Sequence, residues 1–319
     1  FGRGIARHFM VPYNTKLWGV PPTEITAAWC SRFVPLPNLE QVVDGALGLN
    51  QRALGYNVRF VYPRTGGIET LVRRMTARID PARIRLETTP TRIDLAERRV
   101  WLSDGSVTSY DHLVTSIPLP RLIAVCADAP PEIRAAAARL RCTSLRYMNV
   151  ALDAPSDAPD PAARPFGGTH WIYLPEARYP FYRIGCSSNA VPSLAPPGRA
   201  TCYVELANGA AVDDDKAVAA LGVALAEMGV PGGREAIRFV EFRTLEFSYV
   251  IFDDAYFALT QTLFDYLAAH GVRSIGRYGR WVYSAMEDAI DEGMAAARSI
   301  RGDASGAPLG AGRARGQSR

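Results

Sequence analysis

At 319 residues, 48% apolar and 21% charged, the chain has the makeup of a globular protein long enough for two domains or for one with a large insertion. Its formal net charge of +4 points to no nucleic-acid partner, because residues 301–319 carry four arginines against one aspartate and the rest is nearly neutral. No apolar run approaches the ~18 residues of a membrane span. The five cysteines lie far apart without a C-x-x-C pair, and the four histidines are scattered, which argues for reduced thiols in a cytoplasmic protein and against a metal site.

Taken in order, Ile5 to Met10 reads as the end of a helix stopped by Pro12. Asn14, Lys16 and Trp18 then alternate, which places them on one face of an extended segment. Lys16, one of two lysines in the chain, reads as solvated. Pro21-Pro22-Thr23-Glu24 caps a short helix through Trp29, and a helical pattern recurs from Leu39 to Leu49. Val58 to Tyr62 alternates as a strand, and Gly66-Gly67 opens a helix with Ile68, Leu71, Val72, Met75 and Ile79 on one side. Strands follow at 84–86, 91–95 and 100–102, and a turn at Asp104-Gly105 returns the chain through Val107 to Tyr110. Residues 112–117 read as a buried strand closed by Pro118.

Pro130 to Leu140 is an alanine-rich helix, and strands at 147–152, 171–173 and 201–206 are separated by Pro- and Gly-rich loops. Arg183 lies between Phe181, Tyr182 and Ile184; an arginine in an apolar run requires a buried anion or carboxylate. Asp213 caps a helix ended by Gly229, 236–247 is a long strand, and Tyr256 to His270 is a helix ended by Gly271. The closing stretch joins a strand at 272–275, the turn Gly276-Arg277-Tyr278-Gly279 and a helix from Ser284, with Glu287 completing a capping box. Such a strand, glycine turn and helix start offer N–H groups to an anion such as a diphosphate. Residues 301–319 have no apolar periodicity and read as a disordered tail.

The motifs Pro12-Tyr13-Asn14-x-Lys16-x-Trp18, Phe60-x-Tyr62-Pro63-x-x-Gly66-Gly67, Trp171-x-Tyr173-x-Pro175-Glu176, Pro180-Phe181-Tyr182-Arg183 and Gly276-Arg277-Tyr278-Gly279-x-Trp281-x-Tyr283 resemble those of the UDP-galactopyranose mutases, in the same order. More broadly the chain is similar to the FAD-dependent amine oxidase and protoporphyrinogen oxidase group. The resemblance implies a mixed α/β fold: an incomplete FAD-binding domain of the amine oxidase type with an inserted mixed-sheet substrate domain. The expected division is a substrate-lining segment (1–57), part of the FAD-binding domain (58–118), the substrate domain (119–270), the closing strand and helix (271–300) and the tail (301–319).

The resemblance also implies reduced FAD as the nucleophile toward the anomeric carbon of a UDP-sugar, so that pyranose and furanose forms interconvert through a flavin N5–sugar adduct. Arg183 and Arg32 match the family's diphosphate-binding arginines, Tyr249 and Tyr283 its phosphate-bonding tyrosines, and Asn14, Trp18 and Asn57 positions lining the sugar. Trp171 and Tyr173 match its nucleotide side. Gly66, Gly67, Gly276, Arg277, Gly279, Trp281, Met286, Glu287 and Asp288 match the flavin side. The partner implied is a nucleotide sugar, and whether copies of the chain associate is left open. The G-x-G-x-x-G fingerprint of the family has no counterpart here, since Gly2-Arg3-Gly4-Ile5-Ala6-Arg7 lacks the strand and the third glycine. The sequence is therefore expected to be a fragment that is inactive alone. Two alternatives stay open: an oxidase of the same fold, and a homologue that no longer holds FAD.

Overall fold

The computed structural model describes residues 2–30, 38–49 and 60–302. Its helices and strands run α1 (Gly2–Ile5), α2 (Val11–Trp18), α3 (Leu39–Ala46), α4 (Glu69–Thr76), β1 (Pro90–Asp94), β2 (Arg99–Leu102), β3 (Val107–Ser109), β4 (Leu113–Thr115), α5 (Leu119–Val125), α6 (Pro131–Ala138), β5 (Leu145–Leu152), β6 (Trp171–Tyr173), β7 (Phe181–Cys186), α7 (Ser187–Ala190), β8 (Ala200–Leu206), α8 (Asp214–Glu227), β9 (Ile237–Leu245), α9 (Tyr256–Ala269), β10 (Val272–Ser274), α10 (Gly276–Gly279) and α11 (Met286–Arg301). The chain divides into two units, one from the residues up to Glu24, Val61–Ile84 and Cys142–Tyr249, the other from Ile25–Phe60, Arg85–Arg141 and Val250 onward. The mixed α/β class expected from the sequence holds.

The first unit is built on one antiparallel sheet with strand order β6-β7-β8-β5-β9. One sheet face carries Met148, Val150, Leu152, Phe181, Ile184, Val204 and Leu206, buried with Ala217, Leu221, Ala224 and Leu225 of α8. Asp213 starts that helix by accepting from the Lys216 N–H at 2.8 Å, and Gly229 leaves it at φ +72°. Each fully buried leucine here contributes roughly 1.5–3 kcal/mol. β7 was not anticipated: its residues are nearly all buried, so it lacks the alternation that reveals a half-buried strand.

Three local expectations are corrected. Pro12 does not stop a helix: the backbone widens into a π-turn over Ala6–Met10, and α2 continues to Trp18 with the proline in its first turn. Asn14 and Trp18 therefore share a helix face at i, i+4 spacing instead of alternating along an extended segment. Residues 60–62 and 84–86 join no strand; Val58 and Arg59 lie outside the described residues.

The second unit holds the antiparallel meander β1-β2-β3 and the parallel pair β4–β10. Its β2–β3 turn is set by Asp104, whose carboxylate accepts from the Ser106 N–H at 2.9 Å, and by Gly105 at φ +84°. β4 and β10 pair in register, Leu113 with Val272 through Thr115 with Ser274, so the segments that leave their carboxyl ends lie side by side. Leu119, Leu122 and Ile123 of α5 are buried. Among the described residues no helix is long and apolar enough to cross a membrane, and no group of three or more His, Cys, Asp or Glu could hold a metal ion.

Candidate functional site

The face of the first unit's sheet opposite α8 is organised in two rows fixed by strand register. One runs Tyr173, Arg183, Glu205, Tyr147, Arg243 across β6, β7, β8, β5 and β9; the next runs Trp171, Gly185, Tyr203, Asn149, Glu241. Directly opposed residues of neighbouring strands project to the same side, so each row is a line of side chains. A bulge between Phe181 and Arg183 sends Phe181 into the core while Tyr182 lies beside Glu205.

Arg183 donates through Nη2 to the Glu205 carboxylate and, at 3.3 Å, to the Tyr249 hydroxyl, and its guanidinium lies 5.9 Å from the centre of the Tyr203 ring. The two side chains of the ion pair are 22% and 6% exposed. Burial disfavours the arginine's charge, but Tyr249 and Glu205 together outweigh it and hold its pKa above the ordinary arginine value. The buried Nε of Arg183 has no acceptor among the described residues. Burial, with Glu205 adding to it, pushes the Tyr182 phenol up, and burial raises Tyr13 and Tyr203 as well. Tyr13, Tyr182 and Tyr203 thus stay neutral and serve as hydrogen-bonding groups.

Around the ion pair the aromatics interlock. Tyr13 meets Tyr173 edge-on at 5.3 Å and Tyr182 at 5.9 Å, and Trp18 meets Tyr249 at 5.6 Å. The Tyr203 hydroxyl accepts from Trp171 Nε1 at 2.7 Å. That ring lies across Gly185, where a Cβ would fall 2.1 Å from it. Tyr249 is pinned by its backbone, whose carbonyl accepts from the Thr143 N–H at 2.8 Å and whose N–H donates to the Thr143 hydroxyl at 3.2 Å. Buried Asn14 donates to its own helix at Met10 O, 2.7 Å away.

The structure thus gathers Asn14, Trp18, Trp171, Tyr173, Arg183 and Tyr249 in one unit. Sequence reasoning named these but missed Glu205, Tyr182, Tyr203 and Gly185. The signal for Glu205 and Tyr203 was present: they alternate with buried Cys202, Val204 and Leu206 on β8. Arg32 and Asn57 lie outside the described residues. Gly66 and Gly67, also in this unit, take φ of +77° and +68°, and the Tyr62 hydroxyl accepts from the Ile68 N–H at 3.1 Å to close their turn.

The remaining candidates belong to the second unit. At the carboxyl ends of β4 and β10, the Gly276 N–H donates to the Glu292 carboxylate at 2.5 Å. Arg277 lies 4.6 Å from the centre of the Tyr283 ring and donates to Ser284 O at 3.2 Å. A Cβ at Gly279 would meet Ser274 Oγ at 2.9 Å and Thr115 O at 3.2 Å, so the space this glycine leaves is filled by the protein itself. Trp281 is fully buried at φ +51°, its carbonyl accepting from the Tyr256 hydroxyl at 2.7 Å. The helix that follows is capped one residue later than expected. It starts at Met286, and Asp288, not Glu287, accepts from the Ala285 N–H, at 2.7 Å. Two parallel strand ends and the N-terminus of a 16-residue helix, joined by residues 275–285, thus lie at one end of this unit.

The family described as flavin containing amine oxidoreductase matches residues 24–301. Among solved structures, a reduced UDP-galactopyranose mutase aligns over 96% of this chain and 67% of its own at 22% identity, with a TM-score of 0.85. Cyclohexylamine oxidase from Brevibacterium oxydans IH-35A aligns over 95% of this chain and 65% of its own at 16% identity, TM-score 0.63. A putative protoporphyrinogen oxidase from Exiguobacterium sp. 255-15 aligns over 74% and 51%, at 16% identity and TM-score 0.57. The chain therefore spans between half and two thirds of the length of these proteins.

Proposed function

The chain belongs to the flavin-containing amine oxidoreductase family, and from that footing we propose that it carries the substrate region of a FAD-dependent mutase that interconverts ring forms of a UDP-sugar. The observation that carries this reading is Arg183: a charged guanidinium held by Glu205 and Tyr249 within a wall of neutral tyrosines, with a buried donor left over. Such a group suits a diphosphate that gains charge as the glycosyl bond breaks. An amine or porphyrinogen oxidase would be better served by an apolar cavity, since a buried ion pair costs desolvation that an apolar substrate does not offset.

In this reading reduced FAD, when bound, supplies the nucleophile. Arg183 and Tyr249 bind the diphosphate; Arg32, beyond the described residues, and Tyr283 are phosphate-binding candidates from their family match alone. Trp171 and Tyr173 take the nucleotide side, and Asn14, Trp18 and Asn57 the sugar. Gly66, Gly67, Gly276, Arg277 and the N–H groups of Met286, Glu287 and Asp288 would hold the cofactor, while Gly279 and Trp281 shape the turn beneath it.

The test is calorimetric titration with UDP. Arg183→Ala is expected to weaken binding by about tenfold to a hundredfold, the ~1.5–3 kcal/mol of a lost charge-assisted contact. Arg183→Lys recovers part, because a point charge replaces a planar fork. Equal UDP affinity in wild type and Arg183→Ala, or none in either, rejects the reading. Peroxide release from a primary amine or a porphyrinogen would support the oxidase alternative.

A further inference from the structure

Lys16 is not a solvated surface lysine. From the last turn of α2 its ammonium donates to three backbone carbonyls, Phe181 O at 2.7 Å, Leu174 O at 2.8 Å and Glu176 O at 2.9 Å. Three bonds exhaust the donors of an ammonium, and all three acceptors lie at or between the facing ends of β6 and β7. A second tie holds the same helix end. Asn208, just after β8, donates through Nδ2 to Leu17 O at 2.7 Å and through its backbone N–H to Lys16 O at 3.0 Å. Gly19 leaves the helix at φ +67°, and a Cβ there would fall 2.8 Å from that of Asn208. Helix α2 is thereby fastened at one end to two separate parts of the sheet.

These fastenings matter because of what the joined elements carry. Helix α2 bears Tyr13, Asn14 and Trp18, while the clamped connection is flanked by Tyr173 on β6 and Arg183 on β7. We propose that Lys16 is a positioning residue of the site. It holds the helix that presents Asn14 and Trp18 in one frame with the hairpin that presents Tyr173 and Arg183, so that the sugar and diphosphate of one ligand are met together. The proposal rests on the mutase reading, and Lys16 acts through backbone carbonyls, with no contact to substrate. Burial lowers its pKa to about 8, opposed by Glu176, the charged side chain that faces it. Arg178 of the same connection is paired with Glu227, and Arg183 with Glu205.

The experiment compares wild type, Lys16→Arg and Lys16→Met by UDP calorimetry across about pH 7 to 9.5, together with ligand-free hydrogen exchange over residues 174–181. Lys16→Met is expected to bind UDP about tenfold more weakly, the equivalent of one lost charge-assisted bond, and to exchange faster over that segment. Wild type is expected to lose affinity as the pH passes about 8, while Lys16→Arg, which stays charged, keeps a flat profile. Should Lys16→Met fail to fold, the difference in pH profile between wild type and Lys16→Arg decides. Unchanged UDP affinity in a folded Lys16→Met, unchanged exchange, or parallel pH profiles would overturn the proposal. If wild type itself does not bind UDP, the mutase reading fails, and the ligand-free exchange still judges the clamp.

Discussion

Replacing Glu205 while keeping Arg183 isolates the interaction on which the polar sheet face rests. The carboxylate is 6% exposed and its partner 22%, so water can do little to rescue the guanidinium left behind. Breaking a buried pair from one side costs about 3–5 kcal/mol. The second acceptor on Arg183, the Tyr249 hydroxyl at 3.3 Å, and its partial exposure place Glu205→Ala at the lower end. About 3 kcal/mol is expected. Glu205→Gln, which keeps an acceptor but not the charge, should cost roughly half of that. The double variant Arg183→Met/Glu205→Leu removes both charges and should lie within about 1 kcal/mol of wild type, because a buried pair scarcely outweighs its own desolvation. The assay is urea unfolding followed by tryptophan fluorescence and far-UV dichroism, read as free energies where the two transitions coincide. A Glu205→Ala cost under about 0.5 kcal/mol, or single effects that simply add in the double variant, would refute the reasoning.

Two further expectations follow from the same unit. Gly185→Ala places a Cβ 2.1 Å from the Tyr203 ring, so the ring must swing off the strand and release Trp171 Nε1; a loss of about 1–3 kcal/mol with a shifted Trp171 emission is expected, and an unshifted spectrum would contradict it. Asp153, bonded by Arg238 at 2.6 Å and Arg199 at 2.7 Å, has its pKa lowered chiefly by the Arg238 hydrogen bond. Its stabilisation is full above the unfolded value near 3.9 and is lost as pH falls through the lower folded value; as the pH falls below about 4, the urea midpoint of wild type should fall more steeply than that of Asp153→Asn.

How far this could be read from sequence depended on whether a residue's partners were near in the chain. The α8 cap at Asp213, the Asp104-Gly105 turn and the helices at 131–138 and 256–269 are local features, and they were legible. Pro12 was misjudged because a π-turn can absorb a proline, and nothing in the sequence announces that choice. At the closing turn, Ser284 and Glu287 have the spacing of a capping box, yet the helix begins at Met286 and Asp288 accepts from the Ala285 N–H. Gly279 was matched to the flavin side by its motif alone; that Ser274 at the end of β10 and Thr115 of β4 crowd its Cβ position depends on the pairing of those two strands.

The same limit explains why Arg183 was found and Glu205 was not. An arginine among Phe181, Tyr182 and Ile184 demands a counter-charge, so the need was visible in four residues of sequence, but its partner lies 22 positions away and is fixed only by the register of β7 on β8. That register also sets Gly185 opposite Tyr203, while the β6–β7 and β5–β8 registers add Tyr173 and Tyr147 to the first row and Trp171 to the second. The aromatic wall and the ion pair are then one consequence of strand pairing. A one-residue slip between β7 and β8 would turn Glu205 into the apolar core and leave Arg183 unpaired, each costing several kcal/mol. The polar face therefore helps to specify the register of the very sheet that carries it, which gives the ion pair a structural role whatever ligand the face receives.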